Sequence, residues 1–404
     1  MSNCRICNGE LKEIINFGKI ALVGNFFKKK KKLKKFQISL NFCITCKHVQ
    51  ISEIINPNLL FKNYLWKTGV STSNIKLIKS LIEKIKKFKI NKNTKVLEVA
   101  SNDGSLLRAI NQRFNCFTVG VDPAKNLKIT QNKNMILFRD YFNFKFSIKL
   151  KKKFKNFNYI IARNVLAHVP DPNEIFKATN NLLTNKGIFI LEVPHLENII
   201  RHNQYDNIFH EHIGFHSLKS IVDLSTRHNL RVFKVEKINS QGGSLRCYIS
   251  KQKLNIKVSK NISKIITKEK KLGLFSRVKL LNFKIKILLH IKKMQELIKK
   301  LKKKNKKISV YGASGKGQAL LQFCKLDNSL LDFTFDKNKL KQKCLTPGTY
   351  IKVKDPKEIN KTKTEYLLLL SWNIKDEIFK QEREFIKKGG KFIIPFPSPR
   401  VINQ

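Results

Sequence analysis

The sequence predicts a doubly wound α/β protein that carries a small cysteine-rich unit at its N-terminus. Three observations support this prediction. From about residue 95 onward, short apolar runs alternate with stretches of helical periodicity, as in parallel sheets flanked by helices. Two of these runs, Val96–Ala100 and Ile308–Tyr311, lead into glycine-containing turns that open onto helices. Two Cys-x-x-Cys pairs, which begin at Cys4 and Cys43, precede the first unit.

The net charge of +54 would ordinarily indicate nucleic acid or an anionic membrane as a partner. The excess is nearly all lysine, with 12 arginines, and it is spread along the whole chain. Sites that read phosphates or bases favour the bidentate fork of arginine. We therefore interpret the charge as a solvated lysine surface and expect no nucleic-acid partner. Such a surface would attract an anionic small-molecule substrate.

Cysteine usage indicates a metal site rather than disulfides. No apolar run reaches 18 residues and the N-terminus lacks a signal-peptide pattern, so we expect a cytoplasmic protein without a membrane partner. Disulfide bonds are not expected in the reducing environment of the cytoplasm. Cys4, Cys7, Cys43 and Cys46 have the spacing of two zinc knuckles, and four thiolates leave Zn²⁺ no open position. We predict a structural zinc ion; four buried free thiols are the alternative.

The remaining elements follow in chain order. Residues 56–92 are predicted to be helical, with a helix start near Ser71. In the first α/β unit we predict strands at Lys95–Ala100, Thr118–Val121, Tyr159–Arg163 and Gly187–Glu192, and helices at Ser105–Arg113, Pro172–Leu183 and Ser217–His228. One long lysine-rich helix is predicted over 256–306. In the second unit we predict strands at Ile308–Tyr311, Asp332–Phe335, Glu365–Leu370 and Lys391–Ile394, and a helix at Gln318–Lys325.

The first turn, from Ala100 to Gly104, presents backbone N–H groups and a helix N-terminus to a polar ligand. Asp122 follows 18 residues after Gly104, at the end of the second strand. A carboxylate there can accept both ribose hydroxyls of a nucleoside; an aspartate that starts a turn before Pro123 is the alternative. Because the turn keeps only one glycine of the dinucleotide-binding pattern, S-adenosylmethionine (SAM) fits this turn better than NAD(P).

Three further segments carry side chains suited to chemistry. Asn164 and His168 follow the predicted strand Tyr159–Arg163 and could face a ligand. Alternatively, His168 could be a buried structural residue. The segment His210-Glu211-His212 could supply a general base, and the neighbouring carboxylate would favour the protonated imidazole. Alternatively, the two histidines could be metal ligands, or the segment could be a solvated loop. Gly312–Gly317 could cradle a diphosphate with its N–H groups and Lys316, or it could contain packing glycines only.

Together these segments resemble the SAM-dependent C-methyltransferases that act on nucleotide-linked 4-keto-deoxyhexoses. The matching pieces are Cys4-x-x-Cys7, Cys43-x-x-Cys46-Lys-His-Val-Gln50, Leu97-Glu-Val-Ala-Ser-Asn-Asp-Gly104, Ala162-Arg-Asn-Val-Leu-Ala-His168, His210-Glu-His212, Gly242-Gly-Ser-Leu-Arg246, Tyr311-Gly-Ala-Ser-Gly-Lys316-Gly and Pro347-Gly-Thr349. The resemblance implies a zinc-binding domain (1–60), a class I methyltransferase domain with a doubly wound sheet (61–255), a helical connector (256–305) and a Rossmann-like nucleotide-sugar-binding domain (306–404).

The resemblance also implies a role for each site residue. The base that removes the sugar C3 proton is His212, with Glu211 before it and His168 near the substrate. SAM falls on Ala100, Ser101, Asn102, Gly104, Asp122 and Asn164. The nucleotide sugar lies between the central and C-terminal domains, near Lys316 and Phe209, and Tyr64 contributes to catalysis.

Two departures and two other functions accompany this hypothesis. The family's aromatic pair reads Tyr64-Leu65-Trp66, and Phe209 stands where a tyrosine is usual, which indicates a different sugar. A SAM-dependent O- or N-methyltransferase is the alternative among enzymes. A basic, zinc-containing nucleic-acid-binding protein is the alternative outside enzymes, and steeply salt-sensitive binding of RNA or DNA would support it.

Overall fold

The computed structural model describes residues 3–62, 68–70, 72–127 and 131–403, which form three sheets of four, seven and six strands. The N-terminal elements are β1 (Leu11–Ala21), β2 (Lys35–Cys43), β3 (Val49–Ile51) and α1 (Pro57–Phe61). The central elements are α2 (Thr72–Ile85), β4 (Lys95–Val99), α3 (Ser105–Phe114), β5 (Phe117–Val121), β6 (Met135–Phe138), α4 (Phe144–Phe154), β7 (Phe157–Arg163), α5 (Pro172–Leu182), β8 (Leu183–Pro194), α6 (Leu196–Arg201), β9 (Gly214–Phe215), α7 (Leu218–Arg227), β10 (Leu230–Ile238) and β11 (Ser244–Lys251). The C-terminal elements are α8 (Asn261–Lys271), α9 (Arg277–Lys303), β12 (Ile308–Tyr311), α10 (Gly315–Phe323), β13 (Phe333–Phe335), β14 (Lys352–Lys354), β15 (Tyr366–Leu369), α11 (Lys375–Gln381), α12 (Arg383–Lys387), β16 (Lys391–Ile394) and β17 (Arg400–Ile402).

The central sheet is doubly wound and has the strand order β10-β11-β8-β7-β4-β5-β6. Strands β4 to β8 run parallel, and β11 runs antiparallel to both of its neighbours. Because β4 lies between β5 and β7, the winding direction reverses at β4. A crevice at the carboxyl ends of the strands is expected at such a reversal. The sheet confirms the predicted fold class and places the turn after β4 at the crevice.

The C-terminal sheet repeats this plan with the order β14-β13-β12-β15-β16-β17, and its strands are parallel except for β17. Strand β12 lies at its reversal point, so the second glycine-rich turn also opens at carboxyl strand ends. Helix α10 begins at Gly315, three residues earlier than predicted, because Ser314 caps it by accepting the Gly317 N–H.

The N-terminal sheet has the order β1-β2-β3-β9, and the sequence pattern did not predict it. Strand β1 shifts register twice against β2, between Glu13 and Ile15 and between Asn16 and Gly18. Each shift interrupts the alternation of inward and outward side chains by which a strand is recognised in sequence. Its fourth strand, β9, comes from the middle of the chain, more than 160 residues after β3.

The predicted single helix over 256–306 is wrong, because the chain forms two helices there, α8 and α9. The break contains Gly273, which has a left-handed φ of 78° and sits close to the side chain of Lys279. Glycine adopts this conformation without steric cost, and it ends α8. Within the described ranges, no helix is long and apolar enough to cross a membrane.

One hydrophobic core connects the N-terminal sheet with the C-terminal α/β unit. Val23 after β1, Phe209 before β9 and Leu320 in α10 are all buried in it. Burial of such side chains contributes roughly 1.5–3 kcal/mol each relative to exposure. The segment around Phe209 is therefore packed between the N-terminal sheet and the C-terminal α/β unit.

Candidate active site

The four N-terminal cysteines converge on one point, with every Sγ within 4.8 Å of the others. Sγ of Cys4 lies 3.5 Å from that of Cys46, and Sγ of Cys7 lies 3.4 Å from that of Cys43. A disulfide would require about 2 Å, whereas four sulfurs each about 2.3 Å from a zinc ion have the wider spacing seen here. The donor set fits a closed four-thiolate zinc site.

The turn after β4 contains three left-handed residues, Ala100, Asn102 and Gly104, with φ of 55°, 51° and 71°. For alanine this conformation costs on the order of 1 kcal/mol. The Asn102 N–H donates to Oδ2 of Asp122 at 2.8 Å, and the Ala124 N–H donates to Oδ1 at 2.8 Å. The structure thus brings the turn and Asp122 together as predicted. Each carboxylate oxygen keeps a lone pair for a further donor.

Among the residues that the structure describes, Glu98 Oε2, Ser101 Oγ and Asn164 Oδ1 are buried beside this turn without a hydrogen-bond partner. They come from the end of β4, the turn itself and the residue after β7. Arg163 Nη2 lies 3.4 Å from Glu98 Oε1, yet burial raises the pKa of Glu98 to about 8. Buried polar groups ordinarily have partners, so this cluster fits the polar amino-acid end of SAM.

The pKa of Glu98 predicts how the stability of the ligand-free protein depends on pH. The folded state holds this proton up to about pH 8, whereas the unfolded state releases it near pH 4.5, so the free energy of unfolding should fall as pH rises between these values. We expect Glu98→Gln to flatten that slope by up to about 1.4 kcal/mol per pH unit. Urea denaturation at pH 5, 6, 7 and 8 measures it. Glu296→Gln, at an exposed position, is the control, and parallel slopes for Glu98→Gln and wild type would contradict the prediction.

A cavity of about 290 Å³ lies beside Pro123, at the ends of β5 and β6. Its lining residues are Asn58, Lys62, Pro123, Lys125, Arg139, Asp140 and Tyr141. The Tyr141 hydroxyl donates to Asn58 Oδ1 at 3.1 Å. None of these residues was predicted as a site residue, because β6 was not recognised in the sequence. The run Met135–Phe138 followed by Asp140 was the signal that could have identified it.

His212 lies on the other side of the crevice with its imidazole oriented by the backbone. Its Nδ1 is 2.9 Å from the carbonyl oxygen of Asn207, and because a carbonyl only accepts, Nδ1 carries the proton. The other nitrogen, Nε2, then carries a lone pair and no proton. Burial lowers the pKa of His212 well below its usual value, and His168 and Lys316 lower it further. The expectation that Glu211 would favour the protonated form is therefore wrong.

His168 faces His212 edge to face, with ring centroids 4.8 Å apart. It ends the short helical turn Leu166–His168 after β7, and burial lowers its pKa to about 4. His210 lies elsewhere: its Nε2 donates to the carbonyl of Phe36 in β2 at 3.3 Å. In the part of the chain that the structure describes, the cysteine cluster is the one group of three or more ligand side chains that could hold a metal. The metal-ligand alternative for His210 and His212 thus gains no support.

Lys316 extends from α10 towards the histidines rather than along its own turn. Its Nζ donates to the carbonyl of Gln241 at 3.2 Å, and burial lowers its pKa against the opposing effect of Asp206. Within the turn, the Ala313 N–H donates to Asp336 and the Gly317 N–H donates to Ser314. The predicted phosphate cradle therefore has two of its N–H groups already engaged by side chains.

The ring of Phe209 lies tilted against that of His212, with ring centroids 4.2 Å apart. Its ring also lies against Gly315, where an added Cβ would be 3.4 Å from it and 3.3 Å from Val23. Glu211 Oε1 points to the same region, 3.7 Å from the Cβ position of Gly24. The structure thus brings His168, His212, Phe209 and Lys316 together where the three sheets meet. Tyr64, with Leu65 and Trp66, lies outside the described residues.

Three family models match this chain in succession: a zinc binding domain over residues 4–61, a methyltransferase domain over 73–235 and a C-methyltransferase C-terminal domain over 239–397. Aligned over 409 residues, which cover 100% of the chain and 97% of the relative, it is 28% identical to C-methyltransferase NovU of Streptomyces niveus.

Two solved methyltransferase structures show a partial likeness. A SAM-dependent methyltransferase of Anabaena variabilis ATCC 29413 is 12% identical, with a TM-score of 0.36 over 48% of this chain and 89% of its own. Magnesium protoporphyrin IX methyltransferase of Synechocystis PCC 6803 with bound SAH is 10% identical, with a TM-score of 0.35 over 45% of this chain and 88% of its own.

The doubly wound central sheet and the matching methyltransferase domain make this chain a SAM-dependent methyltransferase. The three family models match in the order of a zinc-binding, a methyltransferase and a C-methyltransferase C-terminal domain, and the chain is similar over its whole length to a C-methyltransferase.

Proposed function

We propose that this protein methylates C3 of a nucleotide-linked 4-keto-deoxyhexose. The observation that carries the proposal is the buried His212 imidazole, whose Nδ1 bonds the carbonyl of Asn207 and whose burial lowers its pKa and so favours the neutral form. A neutral histidine with one nitrogen fixed is suited to accept a proton through the other. The proton at C3 is acidic because the neighbouring C4 carbonyl delocalises the resulting charge.

The reaction then proceeds in two steps. Nε2 of His212 takes the C3 proton, and the C–H electron pair moves into the enolate, with the charge on the C4 oxygen. SAM, held at the turn after β4, would supply an electrophilic methyl group to the C3 carbon of the enolate and would leave as S-adenosylhomocysteine. The proton on His212 afterwards passes to solvent. Lys316 is close enough to influence the pKa of His212 and can stabilise the oxyanion of the enolate.

The residues beside the turn after β4 would hold SAM. Glu98, Ser101 and Asn164 offer unpartnered oxygens to its amino-acid end. Asp122 can accept the ribose hydroxyls, and the neighbouring cavity at Asp140 and Tyr141 can take the adenine ring. Ala100, Asn102 and Gly104 shape this turn through their left-handed backbone.

The substrate residues follow from the same arrangement. Phe209 and His168 would contact the sugar ring, and Glu211 lies behind them against the N-terminal unit. Tyr64 remains a proposal from the sequence alone. Cys4, Cys7, Cys43 and Cys46 would hold Zn²⁺ in a structural role, since a closed thiolate set has no place for substrate.

Proton exchange tests the proposal directly. A panel of 4-keto nucleotide sugars is incubated with the protein in D₂O without a methyl donor, and deuterium at C3 is followed by NMR. We expect exchange with at least one sugar and transfer of labelled methyl to the same carbon when SAM is added. SAM binding without exchange of any sugar would overturn the proposal and favour an O- or N-methyltransferase.

A further inference from the structure

The segment that carries His212 is built into the N-terminal sheet. Strand β9 begins two residues after His212 and pairs with β3, with Phe215 opposite Val49 and Gly214 opposite Gln50. The Ile51 N–H extends this pairing by donating to the carbonyl of Ile213 at 3.1 Å. The backbone next to the base is therefore an edge strand of a sheet that holds the cysteine cluster.

Arg5 fixes the same carbonyl from the cysteine cluster itself. It lies between Cys4 and Cys7, and its Nη1 donates to the carbonyl of Ile213 at 2.8 Å. Its Nη2 donates to the carbonyl of Ile51 at 2.6 Å, so one planar guanidinium bridges the two paired strands. The Arg5 N–H donates to the side-chain oxygen of Gln50 at 3.0 Å, which holds the backbone of the knuckle on the same strand.

The other side of the Ile213 peptide is fixed by the methyltransferase sheet. The Ile213 N–H donates to the carbonyl of Ala167 at 2.7 Å, and Ala167 directly precedes His168. With Arg5 on its carbonyl and Ala167 on its amide, Ile213 has little freedom to rotate. The two histidine rings, 4.8 Å apart, depend on that geometry because each is one residue from a bonded peptide group.

We propose that Arg5 is a positioning residue for His212. Because Arg5 bridges the carbonyls of Ile213 and Ile51, it couples the position of the base to the cysteine cluster. This inference rests on the proposed role of His212. It gives the zinc-binding unit a function in catalysis without any contact with substrate. A displacement of about 1 Å in a reacting group can cost about 100-fold in rate, so loss of the bridge matters even if the sheet survives.

The test compares Arg5→Lys and Arg5→Ala in the full-length protein. Lysine has one point-like donor group and cannot bridge both carbonyls in a fixed plane. We expect both variants to keep four-thiolate zinc content and SAM affinity, and kcat to fall about 10-fold for Arg5→Lys and about 100-fold for Arg5→Ala. Hydrogen–deuterium exchange of peptides covering 207–216 should rise in the same order.

Asn173→Ala is the matched control. Its side-chain amide donates to the carbonyls of Arg5 and Ile6 at 2.8 and 3.3 Å, so it holds the same knuckle without reaching Ile213. We expect this variant to keep wild-type kcat and wild-type exchange over 207–216. Equal losses in Asn173→Ala and Arg5→Ala would show general loosening of the knuckle and overturn the proposal.

Hydrogen exchange separates this inference from the proposed function. Unchanged exchange over 207–216 in zinc-loaded Arg5→Ala would overturn the bridge, whatever the enzyme's substrate is. If the wild type exchanges no C3 proton of any sugar, the proposed function fails, yet a graded rise in exchange over 207–216 would still show that Arg5 holds the segment. If Arg5→Ala fails to fold, Arg5→Lys with bound zinc decides by the same two measurements.

Discussion

Replacement of His212 by glutamine is expected to lower kcat by about 10²- to 10⁴-fold, the usual contribution of a general base. Glutamine keeps the approximate size and polarity of the side chain. It offers no nitrogen that can take a proton. The dissociation constant of SAM should stay within about twofold, because its proposed contacts lie at the ends of β4, β5, β6 and β7 rather than at His212.

The control for this variant is His202→Gln, an exposed histidine ten residues earlier in the chain. Steady-state kinetics with the sugar that exchanges its C3 proton, together with SAM titration calorimetry, measure both effects. If His212→Gln retains more than about a tenth of the wild-type kcat, His212 is not the base.

The pH profile of the wild type provides a second measurement on the same group. Because burial and two neighbouring groups lower the pKa of His212, the neutral imidazole persists below its ordinary pKa of about 6.5. The rate should therefore stay level as pH falls through 6.5 and decline only at lower pH. A loss of activity centred at pH 6.5 or above would contradict this assignment.

The second large effect is expected for Cys43→Ser. Structural zinc contributes on the order of 10 kcal/mol to the folding of small zinc domains, comparable to the whole stability of many proteins. Removal of one thiolate should lose the metal and unfold the N-terminal sheet, since Cys43 ends β2 and has an exposed fraction of 0%. Zinc content by atomic absorption and circular dichroism melting measure the two losses.

Cys344→Ser is the matched control, since this cysteine is buried in the C-terminal part of the chain and lies outside the cluster. We expect it to keep its zinc and most of its stability. A Cys43→Ser protein that is folded and zinc-loaded but slow in turnover would contradict a structural role and indicate participation of this thiol in catalysis.

The two α/β units could be predicted from apolar runs that alternate with helical stretches, most clearly at β4 and β12, which lead into glycine-containing turns. Strand β4 and strand β12 both lie where the sequence placed them, and Asp122 meets the turn after β4. Residue-level motifs also singled out His168 and His212, whose ring centroids lie 4.8 Å apart in the structure. The sequence signal was strongest where one short segment combined a buried strand with its functional turn.

Other parts of the site depend on contacts that leave no local pattern. The partner of His212 is the backbone carbonyl of Asn207, and any residue type would supply one. Strand β9 has two residues and gains its partner from the distant β3. Lys316 was assigned to a diphosphate from its turn, whereas its Nζ bonds Gln241, which only the packing of two separate units could reveal.

The pairing of β3 with β9 also has a consequence for the order in which the nascent chain matures. While residues 52–213 are being made, β3 has an open edge, and an open edge is a site for pairing with the wrong strand. At about 5–20 residues per second, this interval lasts on the order of ten seconds. The N-terminal sheet is therefore completed during translation only after Phe215 has left the ribosome. A C-terminal truncation before that residue should produce an aggregation-prone fragment.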